Sequence, residues 1–196
     1  MLRAEDLTVA AGRPLLSFDV TAGRCLGLLG PSAPDISRLL LTAAGLCRPV
    51  TGTVHIDGLD TVTQPADARR GVAINRRSAM DQRLRLAEYL RTVARVRRDV
   101  RTSADAAIER LGLNGTRRLN TPQARAEAAL AAALLPAVGL IVLDEPFADL
   151  SEDTRTRAID WIRALAADPV AIVIGGREER DLRAVSHLVI TLESPR

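Results

Sequence analysis

Three stretches of this chain are apolar almost without interruption: "CLGLL" at 25–29, "LIVL" at 140–143 and "VAIVI" at 170–174. Each ends abruptly, at Gly30-Pro31, at Asp144-Glu145-Pro146 and at Gly175-Gly176. A strand that is apolar on both faces has to be covered on both faces. The segments between them supply that cover. In "DISRLLLTAAGL", Ile36, Leu39, Leu40 and Ala43 fall on one helical face, and Gly45 marks the end. "PQARAEAALAAALL" is a strong helix former with Pro122 in its first turn, and "EDTRTRAIDWIRALAAD" is amphipathic. "EERDLRAV" is a last short helix before a final strand, "HLVITL". Buried strands alternating with such helices dictate an α/β fold with a mostly parallel sheet between helical layers.

Two additions flank this frame. Residues 2–9 and 15–20 read as antiparallel strands joined by a Gly12-Arg13-Pro14 turn, and "GTVHID" alternates like a half-exposed strand. "GVAIN" is a further short strand. From about Leu84 to Leu111 the pattern is helical, in two pieces, with Ser103 as the N-cap of the second. The expectation is a single domain over 1–196 with an N-terminal antiparallel β subdomain and a helical subdomain at about 84–135. It has no internal repeat, and its end at Ser194 to Arg196 is frayed.

The core must be aliphatic, because 47% of the residues are hydrophobic and only 2% aromatic. No run approaches the ~18 apolar residues of a membrane span, and the N-terminus has no secretory apolar region. Cys25 lies in an apolar strand and reads as a buried thiol; neither it nor Cys47 suggests a disulfide or a metal site. All 27 basic residues apart from histidine are arginine, so the chain has no lysine. The net charge of +3 is unevenly spread. Residues 69–101 hold eleven Arg against Asp81, Glu88 and Asp99, a local +8, which leaves −5 for the remainder. Such asymmetry points to a surface that meets something acidic.

Chemistry concentrates at two strand ends. "GLLGPSAPDISRLL" has the layout of a phosphate-binding loop, an apolar strand turning through glycine into a helix. The pattern G-x-x-x-x-G-K-[ST] is met only at Gly30 and Ser37; Asp35 and Ile36 stand where glycine and lysine belong. "LIVLDEPFADL" is an apolar strand ending in Asp144 and Glu145. In phosphate-loop NTPases the aspartate at that place holds Mg²⁺ and a following glutamate polarises the attacking water. Taken alone, such a strand end is as readily a pair of solvated carboxylates. Together, the two segments would emerge side by side at the carboxyl ends of parallel strands, where such folds bind ligands.

In motif order, the chain resembles the nucleotide-binding subunit of the ATP-binding cassette (ABC) transporter family. "GRCLGLLGPSAPDISRLLLTAAGLCRPVTGTVHIDG" resembles that family's first block, "LAEYLRTVARV" the start of its helical subdomain, and "LDEPFADLSEDTR" its second block with a D-loop aspartate at Asp149. The resemblance implies ATP and Mg²⁺ as ligands, with Gly30, Pro31, Ser32, Ala33, Pro34, Asp35, Ile36 and Ser37 as the loop. It further implies Ser37, Asp144 and Asn75 near the metal, and Glu145 as the catalytic base. Leu119, Asn120, Thr121, Pro122 and Gln123 occupy the family's L-S-G-G-Q signature, and Gly176 its switch histidine.

The departures from the family pattern are systematic. Ile36 cannot neutralise phosphate, Asp35 repels it, and Pro34 has no N–H to offer. Two like charges ~4 Å apart at an effective dielectric of ~20 repel by about 4 kcal/mol, roughly a thousandfold in affinity. Thr121 and Pro122 replace the signature glycines, Asn75 replaces a glutamine, and "TVAAG" lacks the aromatic that stacks on adenine near residues 8 to 12. Only Ser37, Asp144, Glu145 and Asp149 retain matching form. His55 and His187 lie elsewhere and read as structural or exposed.

The resulting expectation is a degenerate ATP-binding subunit, catalytically impaired or inactive. It would act as a structural or regulatory partner of a membrane-spanning subunit and pair with a second ABC subunit, in a homo- or heterodimer. Its place would be the cytoplasm, peripheral at the inner face of the membrane when docked. Its Arg-rich stretch would meet acidic loops or headgroups, unless it is simply a solvated basic face. One alternative is a stand-alone pseudoenzyme that binds a protein or an acidic ligand. Another is a working ATPase with Arg38 in place of lysine, which the position of Arg38 after Ser37 disfavours. Nucleic acid binding is disfavoured, because no recognition module accompanies the charge.

Overall fold

The computed structural model describes residues 1–8, 15–75, 80–97, 99–165 and 167–192. The apolar strands form a five-stranded parallel sheet in the order β6 (Val72–Ile74), β7 (Leu140–Asp144), β8 (Ala171–Gly176), β3 (Cys25–Leu29) and β9 (Leu188–Thr191). Beside it stands a four-stranded antiparallel sheet in the order β2 (Leu16–Val20), β1 (Leu2–Thr8), β4 (Thr51–Ile56) and β5 (Leu59–Asp60). The expected Gly12-Arg13-Pro14 turn, most of the adenine-stacking position and the Ser194–Arg196 end lie outside the described residues.

The period of two along a strand explains why uninterrupted apolar runs were needed. On β7, Leu140 and Val142 enter one core while Ile141 and Leu143 enter the other. On β8, Ala171 and Val173 divide from Ile172 and Ile174 in the same way. The first core joins the parallel sheet to α1 (Ala33–Ala43) and the antiparallel sheet. The second joins it to α3 (Leu86–Val96), α4 (Ala104–Leu111), α5 (Pro122–Leu134), α6 (Glu152–Leu165) and α7 (Glu179–Val185). Trp161, the single tryptophan, is fully buried there, and Arg110 stacks over its ring at 5.0 Å.

Local signals set the helix ends. Gly45 has φ +68°, and the N–H groups of Gly45 and Leu46 donate to Thr42 and Leu41, so α1 closes in a Schellman turn that only glycine enters without strain. Ser103 caps α4, its hydroxyl accepting from the Ala106 N–H at 3.1 Å. Two elements escaped the sequence pattern: β5, two residues long, and α2 (Pro65–Ala68), a single turn. Both are too short to show a period. No helix among the described residues is long and apolar enough to cross a membrane.

Candidate functional site

Strand register brings the expected site residues together. In the parallel sheet, Asp144 pairs with Gly175 and Leu29 with Gly176. The carboxyl ends of β3, β7 and β8 therefore present Gly30, Asp144, Glu145 and Gly176 along one edge. Ser37, on the second turn of α1, donates from Oγ to Asp144 Oδ2 at 2.6 Å. That contact spans 107 residues and joins the two motifs directly. A hydroxyl and a carboxylate at this separation fit the donor set of a hydrated Mg²⁺.

The phosphate loop itself does not fit a triphosphate. Helix α1 begins at Ala33, with Pro34 in its first turn, so Ala33 to Ser37 are helical rather than a loop that wraps an anion. The Ile36 N–H donates to the Ser32 carbonyl oxygen at 3.1 Å, within the first turn of the helix. The Ile36 side chain is fully buried. Its Cγ1 and Cδ1 lie 3.4 Å from where a side chain on Gly30 would begin, and its Cγ2 lies 2.4 Å from the same point on Gly175. The position that the pattern reserves for a lysine is thus filled by hydrocarbon in the core. Asp35 stands in the first turn of α1, where a negative charge complements the helix dipole. An acidic side chain of this chain already occupies the end of the helix that would face an anion.

Asn75 was expected near the metal. Its amide exchanges two hydrogen bonds with the Asp144 peptide: Nδ2 donates to the carbonyl oxygen at 2.9 Å, and Oδ1 accepts from the N–H at 2.6 Å. Buried to 5% exposure, it extends the β6–β7 ladder by one rung and positions Asp144. Glu145 follows with φ +41° and Asp149 with φ +64°, both in the left-handed region that non-glycine residues enter only when their surroundings hold them. The Glu145 N–H donates to the Gly175 carbonyl oxygen at 2.9 Å, which fixes the turn.

Sequence reasoning missed Arg177. Its Nε donates to Glu145 Oε1 at 2.8 Å, so the candidate base is held in an ion pair. The available signal was a cation directly after the switch position, where Gly176 offers no side chain. A pocket of about 200 Å³ lies beside this pair, lined among others by Glu145, Phe147, Arg155, Arg177 and Asp181.

The signature-like segment is tied to the first turns of α5 and to Arg117. Leu119 is fully buried and Asn120 exposed. Thr121 is the N-cap of α5, its hydroxyl accepting from Ala124 N–H at 3.1 Å, and Pro122 begins the helix without an N–H. Gln123 Nε2 donates to the buried Glu127 at 2.7 Å, and Arg117 approaches Thr121 and Gln123 at 3.3 Å. Both histidines make contacts away from the strand-end site: the Cys25 N–H donates to His187 Nδ1 at 3.0 Å, and His55 lies 3.8 Å from Asp60.

Comparison with known proteins agrees with this geometry. Residues 15–148 match the family model described as ABC transporter. The chain is 32% identical over 159 residues to the sulfate/thiosulfate import ATP-binding protein CysA of Mycobacterium bovis, covering 76% of this chain and 45% of that protein. It therefore spans about half the length of such relatives. It is 34% identical to the cytochrome c biogenesis ATP-binding export protein CcmA of Novosphingobium aromaticivorans, over 89% of this chain and 85% of that one. In fold it is similar to a dimeric ATP-binding cassette in a post-hydrolysis state bound to ADP and Pi, with TM-score 0.82 and 17% identity over 98% of this chain and 94% of that one. The motif order, the sheet register that unites the motifs and the family match lead to one conclusion: the chain belongs to the ABC transporter family.

Proposed function

We propose that this chain is an ABC-type ATP-binding subunit with a degenerate nucleotide site, a single domain over 1–196 that acts as a structural or regulatory partner of a membrane-spanning subunit. The observation that carries the reading is the buried Ile36 on a helix that starts at Ala33. Without a lysine, a second glycine or a free turn of backbone N–H groups, the loop lacks what holds the β- and γ-phosphates. Ser37 and Asp144 would still hold Mg²⁺, which would neutralise phosphate charge if nucleotide arrived. Glu145, paired with Arg177, is not poised as a base. Pairing with a second ABC subunit places this chain's Thr121-Pro122 opposite the other loop, where neither residue permits the close approach of a glycine.

Support for a docking role comes from a groove of about 280 Å³ between the end of β6 and α3, lined by Ala73, Ile74, Tyr89, Val93 and Val96. Val96 is 76% exposed, although it is aliphatic. Part of the Arg-rich stretch is committed elsewhere: Arg69 donates to the Gly45 carbonyl, Arg97 to the Val72 carbonyl, and Arg101 pairs with Asp168. Arg83 and Arg95 remain solvent-exposed in this region, so the surface is basic beside an apolar slot. That combination suits an amphipathic acidic segment of a membrane subunit at the inner face of the membrane.

The test is a thermal-shift titration of the purified chain with Mg²⁺-ATP and Mg²⁺-ADP. A ligand at a hundred times its Kd stabilises by about 2.7 kcal/mol. The expected result is no saturable shift at millimolar nucleotide. A saturable shift with steady ATP hydrolysis would overturn the degenerate reading.

A further inference from the structure

We propose that Arg85 and Arg118 together bind a phosphate monoester dianion, at a site that shares no residue with the strand-end nucleotide site. Arg85 is the N-cap of α3, and Arg118 lies three residues before Thr121, the N-cap of α5. The two are paired in a one-rung antiparallel ribbon. The Leu86 N–H donates to the Arg117 carbonyl oxygen at 2.9 Å, and the Leu119 N–H to the Leu84 carbonyl oxygen at 3.1 Å. These bonds flank the Arg85–Arg118 pair and do not pass through it. It is therefore a non-hydrogen-bonded pair, the kind that brings opposite side chains closest, with Cβ atoms roughly 5 Å apart. Leu86 and Leu119 are fully buried, and Leu84 packs against the same core. Arg117, on that inner side, pairs with the buried Glu127 at 3.6 Å. Alternation along the ribbon sends Arg85 and Arg118 the other way, and both are exposed. The buried leucines fix the register, so the two stems leave the backbone at a set spacing.

Like charges directly opposite each other destabilise a strand pair. An acid beside them would remove that cost, as Asp105 does for Arg91 at 2.7 Å and Glu127 for Arg117. Neither the Arg85 nor the Arg118 guanidinium forms an ion pair among the described residues. Glu88, the acid closest to Arg85 in the chain, accepts instead from the Arg85 backbone N–H, at 2.9 Å. Asp81 accepts in the same way from the Arg83 N–H at 2.9 Å. The pair thus calls for an anion from outside. Its charge selects the class. A phosphate monoester carries about −1.5 to −2 at pH 7 and three acceptor oxygens, enough for two guanidinium forks. With Glu88 counted, the local net charge is +1, which attracts a dianion twice as strongly as a monoanion at the same place. A carboxylate or a phosphodiester brings only one charge. The site lies at the opposite end of α3 from Val96 and rests neither on that groove nor on the degenerate reading of the nucleotide site.

Isothermal titration of the purified chain with methyl phosphate tests this, in EDTA so that no Mg²⁺ draws the ligand to Ser37 and Asp144. Dimethyl phosphate and acetate are the monoanion controls. Millimolar binding of methyl phosphate is expected, with each control at least tenfold weaker. Arg85→Gln and Arg118→Gln should each weaken binding about tenfold and abolish it together. Each should melt no lower than the wild type, because it removes one of two opposed like charges. Arg48→Gln, which takes the same charge from an exposed arginine elsewhere, should change nothing. Phosphatidylcholine vesicles doped with phosphatidic acid, a lipid monoester, then identify the source. Co-sedimentation that the double variant loses assigns a membrane headgroup; its absence beside methyl phosphate binding assigns a soluble monoester. Equal binding of dimethyl phosphate or acetate would make the pair an unselective anion site and overturn the proposal. So would absence of any heat with methyl phosphate, or full binding by the double variant. The wild-type probe comparison stands even if a variant fails to fold. ATP hydrolysis by the wild type would overturn the degenerate assignment and leave this site untouched.

Discussion

Burial pushes the Cys25 thiol up to about 11 from an ordinary 9.0, while a contact with the Ser186 hydroxyl pulls the other way. The folded chain therefore holds this proton more tightly than the unfolded chain. The stabilisation is fully present below about pH 9 and is lost as pH rises toward 11. The shift corresponds to at most about 3 kcal/mol. The melting temperature of the wild type should fall across that window by more than that of Cys25→Ala, and alkylation of the native chain at pH 8 should label the half-buried Cys47 first. Asn75 carries a second prediction. Asn75→Ala leaves the Asp144 peptide without two partners and should cost about 2 kcal/mol in urea unfolding. At this scale Ser37, Asp144 and Glu145 were legible in the sequence because their spacing from turns is itself the signal. The roles of Asn75 and Arg177 were not, because each depends on a strand neighbour 32 to 69 residues away.

Helix α1 was legible in its face and two residues late at its start. Its apolar face was plain, and Ile36, Leu39, Leu40 and Ala43 are all buried. Its start was read at Asp35, two residues after the observed start at Ala33, because the family pattern treats the residues before it as loop. Pro34 was read as a lost phosphate contact, yet proline in a first turn is a helix starter. The helix therefore absorbs the loop from Ala33 onward. Asp35→Gly with Ile36→Lys, which restores the family letters, places glycine in the first helical turn and an ammonium in the core. Those changes cost roughly 1 kcal/mol and several kcal/mol. The double variant should melt several degrees lower and gain no saturable response to Mg²⁺-ATP. Recovered affinity at unchanged melting temperature would mean that the segment unwinds readily to a phosphate-binding loop.

The two cores that share one sheet give the whole molecule its division of labour. One side carries α1 and the antiparallel sheet; the other carries the helices whose outer surface holds the groove at Tyr89 and Val96. The parallel sheet, its helical cover and the antiparallel addition were legible because each rests on a period. The exposure of Val96 was not, because it is settled only once α3 is placed. Val96→Glu should leave the melting temperature within a degree or two, since the side chain is 76% exposed. It should also reduce co-purification with a co-expressed membrane-spanning subunit by tenfold or more. Full recovery of the complex would place the docking surface elsewhere.

Ile36 and Gly175 now depend on each other. A side chain at Gly175 would begin 2.4 Å from an Ile36 carbon and 2.7 Å from a Leu40 carbon, so any side chain there is excluded while Ile36 stays. Conversely, truncating Ile36 opens a void beside Gly175. A lysine introduced at position 36 alone would therefore lose stability before it offered phosphate a ligand.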